Sequence, residues 1–144
     1  MANVVFTYGK SGVLGAINLA TDTIKAALLM SNNTVSASGQ DAQFLSSLTL
    51  DECDGSGYSR QTLSVTVSAE TASDKGKVDA VDLTFSLVGA STRTVTGVLF
   101  YKHVGADSAN IPILYMDTAT GLPLTPSGAD INFIFAAAGL FTQE

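Results

Sequence analysis

The sequence predicts a mainly β domain, an antiparallel β-sandwich or open barrel with a short N-terminal helix and a one- to two-turn helix near residues 43–48. Three observations carry that prediction. Residues 62–68, 81–87 and 131–135 alternate apolar with polar side chains, the period of a strand with one wet face. Residues 24–30, 96–102 and 111–116 are nearly continuous apolar runs of strand length. The spacers at 71–76, 89–93, 105–110 and 118–128 are rich in turn-forming residues and too short for crossover helices, so neighbouring strands must run antiparallel.

Taken in order, Val4, Val5, Phe6 and Tyr8 form a short apolar segment with two readings. It is either the first strand of the domain's own sheet or an arm that adds to an exposed strand edge of a partner. From Gly9 to Leu19, the spacing of Val13, Leu14, Ile17 and Leu19 suits a short helix, weakened by Gly12 and Gly15. Thr21-Asp22-Thr23 is a turn or cap signal, after which Ile24–Met30, interrupted only by Lys25, reads as a buried strand. Residues 31–41 are small and polar around Val35 and read as loop; Phe44, Leu45 and Leu48 then suit one or two helical turns. In the alternating strands, Leu63, Val65 and Val67, then Val81, Leu83, Phe85 and Leu87, then Ile131, Phe133 and Phe135, are expected to face inward. Ile134 breaks the last alternation and predicts a strand covered on its outer face as well. With no internal repeat, low-complexity tract or composition break, residues 1–144 read as one domain, long enough to bury roughly two thirds of its unfolded surface.

Composition narrows the function classes. Seven Lys and Arg against 13 Asp and Glu leave a net charge of −6, and the basic residues are scattered between Lys10 and Lys102, which disfavours nucleic acid. Ser and Thr number 31 against 20 charged residues, so the surface must be built largely of hydroxyls, amides and backbone. The start lacks the basic and apolar regions of a secretory signal, and export by that route is not expected. The longest nearly apolar run, Phe133 to Phe141, is nine residues, whereas a membrane span needs about 20.

Motifs for chemistry are incomplete. Gly9-Lys10-Ser11 resembles the end of a phosphate-binding loop, yet Val4 occupies the position of its first glycine. No serine sits in a nucleophile elbow; the single His103 reads as a strand-terminal side chain and Cys53 as a small, partly buried hydrophobe. Residues 51–57, Asp-Glu-Cys-Asp-Gly-Ser-Gly, are rich in oxygen ligands. Aligned as a calcium loop they end on Leu63 in place of the bidentate carboxylate, so a tight acidic turn is the better reading. Asp79 and Asp82 have no partner assignable from sequence and read as solvated residues that blunt an edge.

Several segments occur together in order along nearly the whole chain: Gly12-Val13-Leu14-Gly15-Ala16-Ile17-Asn18-Leu19, Thr21-Asp22-Thr23-Ile24-Lys25, Leu50-Asp51-Glu52, Gly55-Ser56-Gly57-Tyr58-Ser59-Arg60, Asp82-Leu83-Thr84-Phe85, and Thr118 through Pro126. In these the chain resembles a family of small virion proteins encoded in the structural-gene clusters of tailed bacteriophages. Ala129 departs from the pattern, which has a second glycine after Gly128. The resemblance implies a non-enzymatic capsid decoration, or cement, protein on the outer surface of the virion, made in the host cytoplasm. It implies the major capsid protein and further copies of the chain as partners, with a trimer favoured, and no catalytic residue, cofactor or metal. No nucleic-acid or membrane partner is expected. A tail or head–tail structural role is the alternative. A carbohydrate-binding or adhesive module is a more distant one, because Trp is absent and Tyr numbers four. The candidate interface residues are Val4, Val5, Phe6 and Tyr8 of the N-terminal segment, with Leu122, Pro123 and Pro126 of the loop 118–128, whose prolines limit the entropy lost on docking.

Overall fold

The computed structural model describes residues 4–10, 17–35, 39–72, 75–136 and 141–143. In chain order the elements are β1 (Val4–Val5), α1 (Thr7–Lys10), β2 (Ile24–Met30), a 3-10 turn (Leu45–Ser47), β3 (Gln61–Leu63), β4 (Val65–Glu70) and β5 (Lys75–Ala80). They continue with β6 (Leu83–Phe85), β7 (Val95–Lys102), β8 (Ile111–Met116), β9 (Ile131–Phe133) and β10 (Phe141–Gln143). Among the described residues every pairing is antiparallel, in three sheets: β1-β8-β7-β2-β3, β10-β5-β4 and β6-β9. The fold is therefore mainly β, an open sandwich with one short helix and a 3-10 turn.

The continuous apolar runs become the three central strands, β8, β7 and β2, because that sheet is covered on both faces. On one side Ile24, Ala26, Leu28 and Met30 of β2 join Leu63 of β3 and Val98 and Phe100 of β7 and meet Leu83, Phe85, Ile131 and Phe133 from the β6–β9 sheet. On the other, Ala27, Leu29, Leu99, Tyr101 and Tyr115 meet Phe6, Val35 and Leu45. The segment read as polar loop thus supplies a lid through Val35, and the short helical turn after it through Leu45, both fully buried. Each such side chain contributes about 1.5–3 kcal/mol by leaving water. Gly97 in β7 leaves room for the Tyr115 ring, onto which a Cβ would fall.

A short N-terminal helix is present at Thr7–Lys10; of the segment 9–19 expected to be helical, residues 11–16 lie outside the described residues, and from Ile17 the chain turns, with Asn18 O accepting from the N–H groups of Thr21 and Asp22. Three differences from the sequence-based expectation follow. The alternation 62–68 is two strands, not one: it breaks at Ser64, where the chain leaves β2 and begins to pair with β5. Leu63 is therefore buried, Val65 half-buried and Val67 exposed. Val81 and Leu87 flank β6 and are exposed, so only Leu83 and Phe85 face inward. Ile134, expected under a cover, is 81% exposed.

Candidate functional site

The most developed polar construction surrounds Arg60, where the chain enters β3. Its guanidinium donates from Nε to Glu52 Oε2 (3.0 Å) and from Nη2 to Glu52 Oε1 (2.5 Å). It also donates from Nη1 and Nη2 to the two oxygens of Asp107 (2.7 and 2.8 Å) and from Nη1 to Tyr101 Oη (3.3 Å). Those contacts occupy all five N–H donors of an arginine. The cation also lies 5.3 Å from the centre of the Tyr101 ring, within range of a cation–π attraction. Asp107 accepts in addition from Asn110 Nδ2, while Asn110 Oδ1 accepts from the N–H groups of Val104 and Gly105. Tyr58 Oη donates to Glu52 and accepts from Leu28 N. The network ties the segment 52–60 to the end of β7 and to the loop 103–110. That loop in turn holds the 3-10 turn through Leu45 N to Asn110 O and Ser46 N to Asp107 O.

The electrostatics identify a clamp. Hydrogen bonding from Arg60 holds the Asp107 carboxyl below the usual range, and burial, with the charge of Glu52 adding to it, pushes the Tyr58 phenol up. A carboxylate held ionised by a saturated arginine is poorly placed to deliver a proton, and the guanidinium has no N–H left for an external anion.

A second cluster organises the acidic turn. Arg93 Nη2 donates to both oxygens of Asp51 (2.8 and 2.6 Å), and its Nη1 lies 3.5 Å from Asp54, which also accepts from Ser91 Oγ. Asp51 Oδ2 accepts from Asn32 N, and its backbone sits in the left-handed region at φ +38°. The oxygens of residues 51–57 therefore diverge, Glu52 toward Arg60 and Asp51 with Asp54 toward Arg93. Among the described residues no group of three His, Cys, Asp or Glu could hold a metal ion. Gly57 has the positive φ a tight turn requires, while Gly55 lies so close to Gly89 that a Cβ would stand 2.5 Å from its carbonyl oxygen.

Other candidate groups find structural places. Gly9 lets α1 lie against β8, since a Cβ there would stand 2.5 Å from Ile113 O. Cys53 is buried in the first core cluster, and burial pushes its thiol up. His103 follows β7, its ring edge-on to Tyr101 and its Nδ1 buried with no hydrogen-bond partner among the described residues. Asp79 and Asp82 do have partners: Lys77 Nζ lies 3.2 Å from Asp79, and Asp82 accepts from Phe135 N. Of the seven Lys and Arg, Arg60, Arg93, Lys77 and Lys102 are engaged with carboxylates, so most of the positive charge is neutralised within the chain.

The two groups of candidate interface residues lie on different elements. Val4 and Val5 pair with Tyr115 and Leu114 of the chain's own β8; Phe6 is fully buried, and Tyr8, in α1, is half-buried. Leu122 and Leu124 pack against the first core cluster, and Pro126 is buried. The loop that carries them adds to the start of β7, Val95 and Leu124 exchanging two backbone hydrogen bonds of 2.8 and 3.0 Å. Of the seven, Pro123 and Val5 are exposed.

The larger exposed apolar groups lie elsewhere. Val81 (64% exposed) and Leu87 (71%) bracket β6, and Ile134 follows β9. Between them the outer face of the β6–β9 ribbon presents Thr84 and Asn132, joined by a 2.6 Å hydrogen bond. Asp130 accepts from Leu87 N, fixing the turn in which Leu87 stands at φ +48°. A left-handed conformation at a leucine is sterically unfavourable, and here it displays the side chain to solvent. A cleft of about 170 Å³ beside this ribbon is lined by Thr120, Thr125, Ser127, Asp130 and Asn132, with Leu122 and Phe133 among its apolar walls. Sequence reasoning placed Val81 and Leu87 inward because they continue the alternation, and no signal marks where burial stops.

No family model, no curated protein and no solved structure matches the chain.

Proposed function

We propose that the chain is a non-enzymatic bacteriophage capsid decoration, or cement, protein that binds the assembled head lattice through many copies and stabilises the shell. The observation that carries this reading is the β6–β9 ribbon, where Val81, Leu87 and Ile134 stand exposed at the ends of two antiparallel strands whose outer face carries the Thr84–Asn132 hydrogen bond. Exposed apolar groups interspersed with hydroxyls and amides suit a docking surface that is part apolar and part polar. The segments that resemble small phage virion proteins supply the partner, the major capsid protein, with further copies of the chain alongside. Modest individual contacts then suffice, because lattice avidity multiplies them. A ligand that binds only the assembled state stabilises it by mass action.

Particles made without the chain are expected to rupture at lower temperature and at low salt. Leu87→Asp combined with Ile134→Asp is expected to abolish rebinding to those particles while the isolated domain melts as the parent does. Unchanged particle stability, or labelled protein found on tails alone, would overturn the reading.

A further inference from the structure

We infer that β4 is a pairing edge for a second copy of the chain, in an antiparallel two-fold contact centred on Val67. β4 is the outer strand of the sheet β10-β5-β4, and no described strand pairs with its free side. At six residues it is also longer than the outer strands β3, β6 and β9, which have three each. Native edges of this length are ordinarily protected by an inward charge, a proline or a bulge. Between Val65 and Ala69 there is no charge and no proline, and the register with β5 runs without a break from Val65↔Ala80 to Glu70↔Lys75.

The occupant is argued from the strand's own pattern. Val65, Val67 and Ala69 share one face of β4, and Thr66 and Ser68 share the other. A two-fold axis perpendicular to the sheet through Val67 sets Val67 opposite its own copy, Val65 opposite the partner's Ala69 and Thr66 opposite the partner's Ser68. Apolar then meets apolar and hydroxyl meets hydroxyl, whereas a one-residue slip would set each face against the other. Glu70 falls opposite the partner's Ser64, so no like charges oppose one another in a chain whose net charge is −6. Val67, 48% exposed, is the residue this contact would cover. The result is one six-stranded sheet, β10-β5-β4 continued by its symmetry mate, with an isologous interface. This inference does not rest on the proposed shell function; it concerns a different strand and would hold for a tail component equally.

Cross-linking and sedimentation of the purified full chain test it. Val67→Cys is expected to form a disulfide-linked dimer under mild oxidation, faster than Ser68→Cys, whose opposite residue is Thr66, and faster than Val81→Cys, exposed but off this edge. The native Cys53 is buried and does not compete. The parent is expected to sediment at twice the chain mass of 14.8 kDa. Val67→Lys, which opposes two like charges on the axis, is expected to weaken dimerisation about tenfold or more with unchanged circular dichroism. A monomeric parent, a Val67→Cys rate no higher than that of Val81→Cys, or a Val67→Lys variant of unchanged mass would each overturn the inference.

Discussion

At the scale of single residues, the account turns on whether Arg60 clamps structure or awaits a ligand. Its donors are spent on Glu52, from the preceding turn, and on Tyr101 and Asp107, from a part of the chain distant in sequence. Arg60→Ala would leave two partly buried carboxylates facing each other, at a cost of about 2 kcal/mol after allowing for their partial exposure to solvent. Urea unfolding checks this, with Arg60→Lys, which keeps the charge but loses the planar fork, expected between parent and Ala. The same network predicts a pH dependence. Asp107, lowered by Arg60, and Asp51, lowered by Arg93, have folded values beneath their unfolded ones. Their contribution is therefore fully present above the ordinary carboxylate value near about 4 and is lost as pH falls through the folded values. Melting temperature should drop on acidification below that point, and Arg60→Ala should flatten the drop. Gly97→Ala is a steric test: its Cβ would meet the Tyr115 ring, and overpacking of this kind costs about 1–3 kcal/mol.

At the scale of elements, strands buried on both faces were the most legible. Ile24–Met30 and Ile111–Met116 have no polar alternation to misread, and their observed bounds match the apolar runs. Half-buried strands were less legible, because alternation reports a pleat and not the sheet to which it belongs. Leu63 and Val67 look equivalent in sequence, yet the chain changes sheets at Ser64 and only Leu63 is buried. β5 was missed altogether; Lys75, Lys77 and Asp79 alternate with small residues that carry little apolar signal. Arg60, Glu52 and Asp107 could not be joined from sequence, since their meeting depends on β3 lying beside β2 and on the loop 103–110 folding back. The N-terminal segment gives the clearest element-level prediction. Phe6 is wholly buried against the outer face of the central sheet, so Phe6→Ala should cost about 3–5 kcal/mol. Removing residues 1–8 should cost at least as much. A melting temperature unchanged by that truncation would mean that the segment is a dispensable arm.

At the scale of the whole molecule, low charge and open edges belong together. Much of the positive charge is bound internally by carboxylates, and hydroxyls, amides and a few exposed apolar groups share the surface with the remaining acidic side chains. The net charge of −6 persists, so contacts between copies must outweigh a long-range repulsion that salt screens. The β6–β9 ribbon and the β4 edge lie on different sheets, so a shell contact and a copy contact call on different strands. The proposed function makes abundance its most direct consequence, because a lattice cement is needed wherever the lattice repeats. Quantitative mass spectrometry of purified virions, counting this chain against the major capsid protein, measures that abundance. The account predicts copies comparable in number with the shell subunits and lost when the shell is stripped from the tail; a few copies per particle, retained with isolated tails, would contradict it.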